Sequence, residues 1–328
     1  VTTVGYIGNF QHAHCTEVHV AAAFEELGCT VLRFQQEHAT AGELLRHGGR
    51  LDLVVYTRTH NRTALDRTWT ATWRQLEDDG TVTVSVHLDR FWDLARERLI
   101  WDRDPLFTTG WVFTADGGND GRWADAGVNH RWLPPAIDRA EASVVGRDDP
   151  RVAHDVIFVG SVDTYHDEYP QRAELVDVLR RRYGRRFRRY GPGGQVVRGR
   201  RLNDLYRSAK VVVGDSCFAN DPDRRHRSVR YWSDRVPETI GRGGVLVHPT
   251  VPGLAGQYRP GDHVWLHDPG DWDQLCDLID LLVDDPGLRE RTREQGRAHV
   301  LAHHTWTHRA AVVLHTVGLL ETPEVTAA

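Results

Sequence analysis

Short apolar runs alternate along this chain with longer segments in which apolar residues recur every three or four positions. Residues 2–10, TTVGYIGNF, form a β-rich run ending in Gly8 and Asn9. Residues 16–28, TEVHVAAAFEELG, predict a helix: Thr16 can cap it, Val18, Ala22, Phe24 and Leu27 give a mostly apolar face, and Gly28 stops it. CTVLRF (29–34) predicts a strand, AGELLRHG (41–48) a short helix and LDLVVYT (51–57) a strand of the buried type. Residues 64–80 read as a helix with a glycine stop, TVTVSVHLD (81–89) and WVFTADGG (111–118) as strands, and RWLPPAID (131–138) as a strand with a proline-rich exit.

The polar stretch 138–152 has no apolar period and reads as a linker. HDVIFVGSV (154–162) restarts the alternation. Helical segments are predicted at 169–184, 202–210, 235–243 and 272–304, the last broken at Pro286. RRFRRYGPGG (185–194) reads as a strand running into a glycine turn, further strands are predicted at 211–216, 244–249 and 262–268, and TWTHRAAVVLHTVGLL (305–320) is one more helix. Strand–helix alternation with short apolar strands predicts a parallel sheet with helices on both faces. The expectation is an α/β protein of two doubly wound, Rossmann-like parallel-sheet domains facing a central cleft. Ligands are expected outside the carboxyl ends of the strands.

Composition refines this frame. The 328 residues exceed what one core usually holds, which fits two domains. Lys210 is the only lysine, so the basic charge is almost all arginine, and the net charge of −5 argues against wholesale binding to a polyanion. No stretch approaches the ~20 apolar residues of a membrane span. No basic-then-apolar leader pattern opens the sequence. Cys15, Cys29, Cys217 and Cys276 are scattered without a CxxC. A disulfide framework is not expected, and a reducing, cytoplasmic setting is.

The candidate chemistry centres on SDRVPETIGRGGVLVHP (233–249), where Glu238 precedes Gly241, Gly243, Gly244 and a buried-type strand. A carboxylate can accept two hydrogen bonds from a vicinal diol, and glycines keep Cβ atoms away from a ligand. Arg235 has a planar fork that matches phosphate oxygens. Gly160 and Ser161 end a strand in a loop able to approach phosphates, with Arg172 beyond it. Tyr190 and Gly191 precede a glycine turn. In the first half, His87 and Asp89 end a strand, and His12 and His14 lie in the loop after the first strand; His87 is the preferred candidate to hydrogen-bond a ligand. The Asp-x-Asp pairs at Asp102/Asp104 and Asp221/Asp223 follow no apolar strand and read as solvated loops, so no metal site is expected. GxGxxG, P-loop and GxSxG patterns are missing. The arginine runs at 180–191, 198–201 and 224–230 read first as solvated flanks, with an anionic partner as the functional alternative.

The second half resembles the GT-B glycosyltransferases, in the CgeB-like branch related to glycosyltransferase family 4. The resemblance rests on IFVGS (157–161), RYGPG (189–193), LNDLYRSAKVVVGDS (202–216), SDRVPETIGRGGVLVHP (233–249), YRPGDHVWLHDPGDWDQLCDLIDLLVDDP (258–286) and HHTWTHRAAVVL (303–314), in that order. The first half matches in architecture, plus the VSVHLD strand end (84–89) and the LPPAID exit (133–138). The resemblance implies residues 1–137 as an acceptor domain, 138–152 as linker, 153–305 as donor domain, and 306–328 as a helix crossing back to the first domain. It implies a nucleoside-diphosphate sugar as donor substrate, no cofactor and no metal, and transfer with retention to an unidentified acceptor that is anionic if the arginine runs serve it. Glu238 matches the residue that bonds the donor ribose, and Ser233 and Arg235 match a Ser-x-Arg just before it. Arg172 matches an arginine of the branch, and the Tyr190–Gly191 loop lines the base pocket in similar enzymes. Where family 4 carries a further glutamate, eight residues before Glu238, this chain has Arg230. That departure keeps two alternatives open: a non-catalytic nucleotide-sugar or nucleic-acid binding protein on the same fold, and a GT-B sugar-nucleotide epimerase.

Overall fold

The computed structural model describes residues 1–58, 66–162, 167–220 and 229–321. The chain divides into two compact units, Val1–Leu133 with Trp306–Ala328, and Pro134–Thr305.

The first unit follows the alternation read from the sequence: β1 (Thr3–Gly8), α1 (Thr16–Glu26), β2 (Thr30–Gln35), α2 (Ala41–His47), β3 (Leu53–Tyr56), α3 (Trp69–Asp78) and β4 (Val82–His87). It continues through α4 (Arg98–Trp101), β5 (Trp111–Thr114), α5 (Asp120–Asp125) and β6 (His130–Trp132). Its strands lie in the order β2-β1-β3-β4-β5-β6, every neighbouring pair parallel. The chain steps from β1 outward to β2, then returns to build β3 on the other side of β1. All four residues of β3 are buried, as a strand covered on both faces requires. Trp69, Trp73 and Leu76, spaced by four and three, form the buried face of α3, and the Trp73 indole donates to the Pro105 carbonyl at 3.0 Å. Gly28 and Gly80, at φ 84° and 88°, end the helices that the sequence reading ended there.

The second unit repeats the plan with α6 (Arg139–Ser143), β7 (Val156–Val159), α7 (Arg172–Tyr183), β8 (Phe187–Tyr190), α8 (Arg200–Ser208), β9 (Val211–Val213), α9 (Arg235–Gly241) and β10 (Leu246–Pro249). α10 (Leu254–Gln257), β11 (Trp265–His267), α11 (Trp272–Asp284) and α12 (Pro286–His303) complete it. The strand order is β11-β10-β9-β7-β8, again parallel throughout. One face of the sheet packs on α7 and α11 through Leu175, Leu179, Leu275, Ile279 and Leu282. The other packs on α8 through Leu202, Leu205 and Tyr206. Pro286 does break the predicted long helix: it takes the first position of α12, where its missing N–H costs nothing, and Asp285 caps that helix by accepting the Leu288 N–H at 2.8 Å.

The polar stretch 138–152, expected to be a connector, folds onto the second unit. Asp138 caps α6, and the Asn203 carboxamide donates to the carbonyls of Glu141 (2.9 Å) and Val144 (2.8 Å). Main-chain carbonyls and the Glu141 carboxylate, which accepts from Arg242, make this attachment, so no apolar period announces it. Helix α13 (Trp306–Thr316) belongs to the first unit, where it packs on α1; Thr307 donates to Glu26 and Arg131 to Thr316 at 2.7 Å. Among the described residues, no helix is long and apolar enough to cross a membrane.

Candidate active site

In the second unit the strand order reverses at β7, between β8 and β9. At such a point the flanking loops diverge and leave a crevice at the carboxyl ends of the strands. A small cavity of about 10 Å³ lies there, lined among others by Arg172, Tyr206, Gly214, Asp215, Arg235 and Thr239. Gly160 follows β7 and Gly191 follows β8. Gly191 has φ 124°, and a Cβ on it would stand 2.7 Å from the Gly160 carbonyl oxygen, so the two loops touch through a position that requires glycine.

Arg172 is buried at the start of α7. It donates to Asp215 at 3.0 Å and to the Ser161 carbonyl at 3.2 Å, and lies 3.3 Å above the Tyr169 ring. Asp215 also accepts from Asn220 at 3.1 Å. Burial pushes its carboxyl above the ordinary carboxylate range, against the pull of Arg172. Arg172 is thus held by an internal ion pair at the crevice floor.

Helix α9 carries Arg235 at its first position and Glu238 one turn on, where each is half-buried. Burial first, then Asp234 and Glu141, raise the Glu238 carboxyl to about 7, while Arg242 and Arg235 oppose the rise. Burial also works against the Arg235 charge, but Asp234 and Glu238 outweigh it and keep the guanidinium protonated. Among the described residues neither side chain has a hydrogen-bond or ion-pair partner. The Ser233 hydroxyl is buried without a partner, and the buried Tyr206 hydroxyl, beside Thr239, makes no well-formed bond. Their neighbour Arg242 donates from its two terminal nitrogens to Asn203 Oδ1 and to the Glu141 carboxylate, while its Nε is buried without a partner.

The glycines after Glu238 do different work from that expected. Gly243, at φ 83°, and Gly244 end α9: the Gly243 N–H donates to the Ile240 carbonyl at 3.0 Å and the Gly244 N–H to that of Thr239 at 2.8 Å. A Cβ on Gly244 would meet Thr239 Cγ2 at 2.7 Å and Val212 Cγ2 at 3.2 Å. They close the helix and pack it on β9; no ligand is needed to explain them. Tyr190 likewise lies in the core, 1% exposed, because the alternation of β8 turns its side chain inward. Gly160 is explained by its own strand, since a Cβ there would lie 2.8 Å from Phe158.

His87 and Asp89 belong to the first unit. The His87 Nδ1 accepts the Asp89 N–H at 3.1 Å and stands 3.9 Å from the Asp89 carboxylate. Burial lowers its pKa, with Arg58 and Arg96 adding to the effect and Asp89 opposing it. The ring is therefore a neutral imidazole with its proton on Nε2. His12 and His14 are exposed and stack on each other. Asp104 is spent on Arg58, which donates to both its oxygens at 3.0 and 2.8 Å, rather than being solvated. Asp221 and Asp223 lie outside the described residues, as does most of the run 224–230. In the run 180–191, Arg180, Arg182 and Arg186 pair with Asp177, Asp280 and Asp155, so half-neutralised flanks replace a free basic patch. Among the described residues no group of three or more His, Cys, Asp or Glu side chains could hold a metal ion.

Sequence reasoning passed over Asp215, Ser216, Tyr206 and His248. Asp215 and Ser216 had a usable signal, two polar residues directly after an apolar strand. Tyr206 sits in the apolar stripe of α8, and His248 inside a strand, so both read as core.

Residues 171–315 match the family model described as glycosyl transferase-like. No curated protein matches the chain. Among solved structures, sucrose-phosphate synthase from Thermosynechococcus elongatus superposes with a TM-score of 0.63 at 12% identity, over 96% of this chain and 98% of that one. The Anabaena protein HepE in complex with UDP-glucose gives 0.64 at 10% identity, over 98% and 100%. An alpha-glucosyltransferase in complex with UDP and a 13-mer DNA gives 0.61 at 10% identity, over 96% and 99%. At such identities the likeness establishes the fold. Residues 171–315 are thus a glycosyltransferase domain, and the chain as a whole has the GT-B fold.

Proposed function

We propose that this protein transfers a sugar from a nucleoside-diphosphate sugar to an acceptor, in the CgeB-like branch related to glycosyltransferase family 4, with retention and without a bound metal ion. One observation carries the reading. Arg235 and Glu238 stand one turn apart at the carboxyl-end crevice of a parallel sheet, and neither is paired within the described residues. Oppositely charged, half-buried groups that leave each other unpaired suit a ligand with a diol at one end and a diphosphate at the other. Glu238 would accept from the ribose hydroxyls. Arg235 would meet the charge that grows on the diphosphate as the bond to the sugar breaks, where stabilisation lowers the barrier most. Arg172, fixed by Asp215, would hold the Ser161 loop in place. His87 and Asp89 are assigned to the acceptor-side chemistry of the first unit. HepE and the alpha-glucosyltransferase were solved with UDP-glucose and UDP, which makes uracil the first base to try.

The test is thermal denaturation with UDP, GDP, ADP, CDP and dTDP, since a ligand that binds the native state raises its melting temperature. One nucleotide should stabilise the wild type, and Glu238→Ala should lose most of that shift. Absence of a shift with every nucleotide would overturn the reading. Release of free nucleoside diphosphate from the matching sugar nucleotide then separates transfer from binding alone.

A further inference from the structure

We infer that Ser216 and His248 are positioning residues, a buried relay that holds the start of α9 and so aims Arg235 and Glu238. The inference rests on the reading of those two side chains given above. His248, in β10, is 1% exposed, and its Nδ1 lies 2.7 Å from the Pro249 carbonyl oxygen. A carbonyl can only accept, so Nδ1 carries the proton. Burial lowers the His248 pKa to about 3, so the ring is neutral and its Nε2 is an acceptor. Ser216 Oγ stands 2.8 Å from that Nε2 and must donate to it. A lone pair of Ser216 is then left for the Ser233 N–H, at 3.2 Å. Ser233 in turn offers its carbonyl to the Val236 N–H at 3.1 Å, the first bond of the α9 turn.

Every donor and acceptor direction in this chain is fixed by the one before it, from β10 across the end of β9 to the helix. The packing is built around it: a Cβ on Gly214, the residue after β9, would come within 2.7 Å of His248 Cδ2, so glycine stands where the imidazole lies. Ser216 also follows Asp215 directly, so the end of β9 fixes both the Arg172 ion pair and the start of α9. A core serving only stability would fill this space with apolar side chains, because each buried polar group costs free energy unless every bond is made.

The experiment combines two readouts on Ser216→Ala, His248→Asn and Ser216→Thr. Amide hydrogen exchange across residues 233–238 reports the docking of the helix start. Calorimetric titration with UDP, or with whichever nucleoside diphosphate stabilises the wild type, reports the aim of Arg235 and Glu238. Ser216→Ala should speed exchange in this segment more than tenfold, leave exchange in the first unit unchanged, and weaken nucleotide binding about tenfold. His248→Asn keeps a donor for Pro249 but places no acceptor where Nε2 stood, 2.8 Å from Ser216 Oγ, and should act in the same direction should the alanine variant fold poorly. Ser216→Thr, which retains the hydroxyl, should restore both readouts. Wild-type exchange and affinity in folded Ser216→Ala and His248→Asn would overturn the inference. If the wild type binds no nucleoside diphosphate, the site reading fails, and the exchange data alone then decide whether the relay docks the helix.

Discussion

Replacing Glu238 by glutamine should stabilise the protein while disabling it. The Glu238 carboxyl is raised from its ordinary 4.5 to about 7. The folded state therefore holds this proton more tightly than the unfolded chain. Between pH 7 and 4.5 acidification favours folding at this group, and above pH 7 the ionised carboxylate carries its full cost. At ~1.4 kcal/mol per pH unit the difference comes to about 3.5 kcal/mol. Because the side chain keeps some solvent contact, roughly 1–3 kcal/mol is the working range. Glutamine preserves the shape and removes the charge. Urea denaturation at about pH 8 should show Glu238→Gln more stable than wild type by that amount, the advantage closing as the pH approaches about 4.5. The same variant should lose most of its stabilisation by nucleoside diphosphate, because its amide replaces one of the two acceptor oxygens with a donor. Equal or lower stability of the variant at about pH 8 would refute the reasoning, since the carboxylate would then be satisfied in the folded protein.

Further consequences can be checked with the same instruments. His130 and His248 are both held near pKa 3 by burial, so the folded state stays neutral where the unfolded chain takes up protons; each should cost about 1.4 kcal/mol of stability per pH unit as the pH falls from ~6.5 toward ~3, and His248→Asn should remove its share of that slope in acid-denaturation curves. Asp215→Asn leaves the buried Arg172 charge without its partner and should cost about 3–5 kcal/mol in urea denaturation, a loss that Asp215→Asn combined with Arg172→Met should partly recover. Gly191→Ala forces a side chain into φ 124° against the Gly160 carbonyl, and should lower the melting temperature through at least ~2 kcal/mol of strain.

The alternation of strands and helices was legible because each apolar run has the length and period of its element, and Pro286 and Gly28 mark breaks by local chemistry alone. Glu238 and Arg235 were legible as candidates because they sit one turn apart on one short helix. What could not be read is what depends on partners distant in sequence. Arg172 meets Asp215 across the sheet, and Arg242 meets Glu141 from a segment whose composition looks like a connector. The glycines at 243 and 244 misled for a related reason. A glycine shows that a Cβ is unwelcome, but not whether ligand, helix end or neighbouring strand excludes it; here φ and Val212 supplied the answer.

Helix α13 completes a unit whose other elements all precede residue 134. On the ribosome, Pro134–Thr305 emerges in full while the earlier-made strands still lack the helix that packs on α1. At ~5–20 residues per second that wait lasts roughly 10–30 s. The part synthesised first is therefore finished last, and for that interval the α1 surface is open to chaperones, to proteases and to the wrong partner.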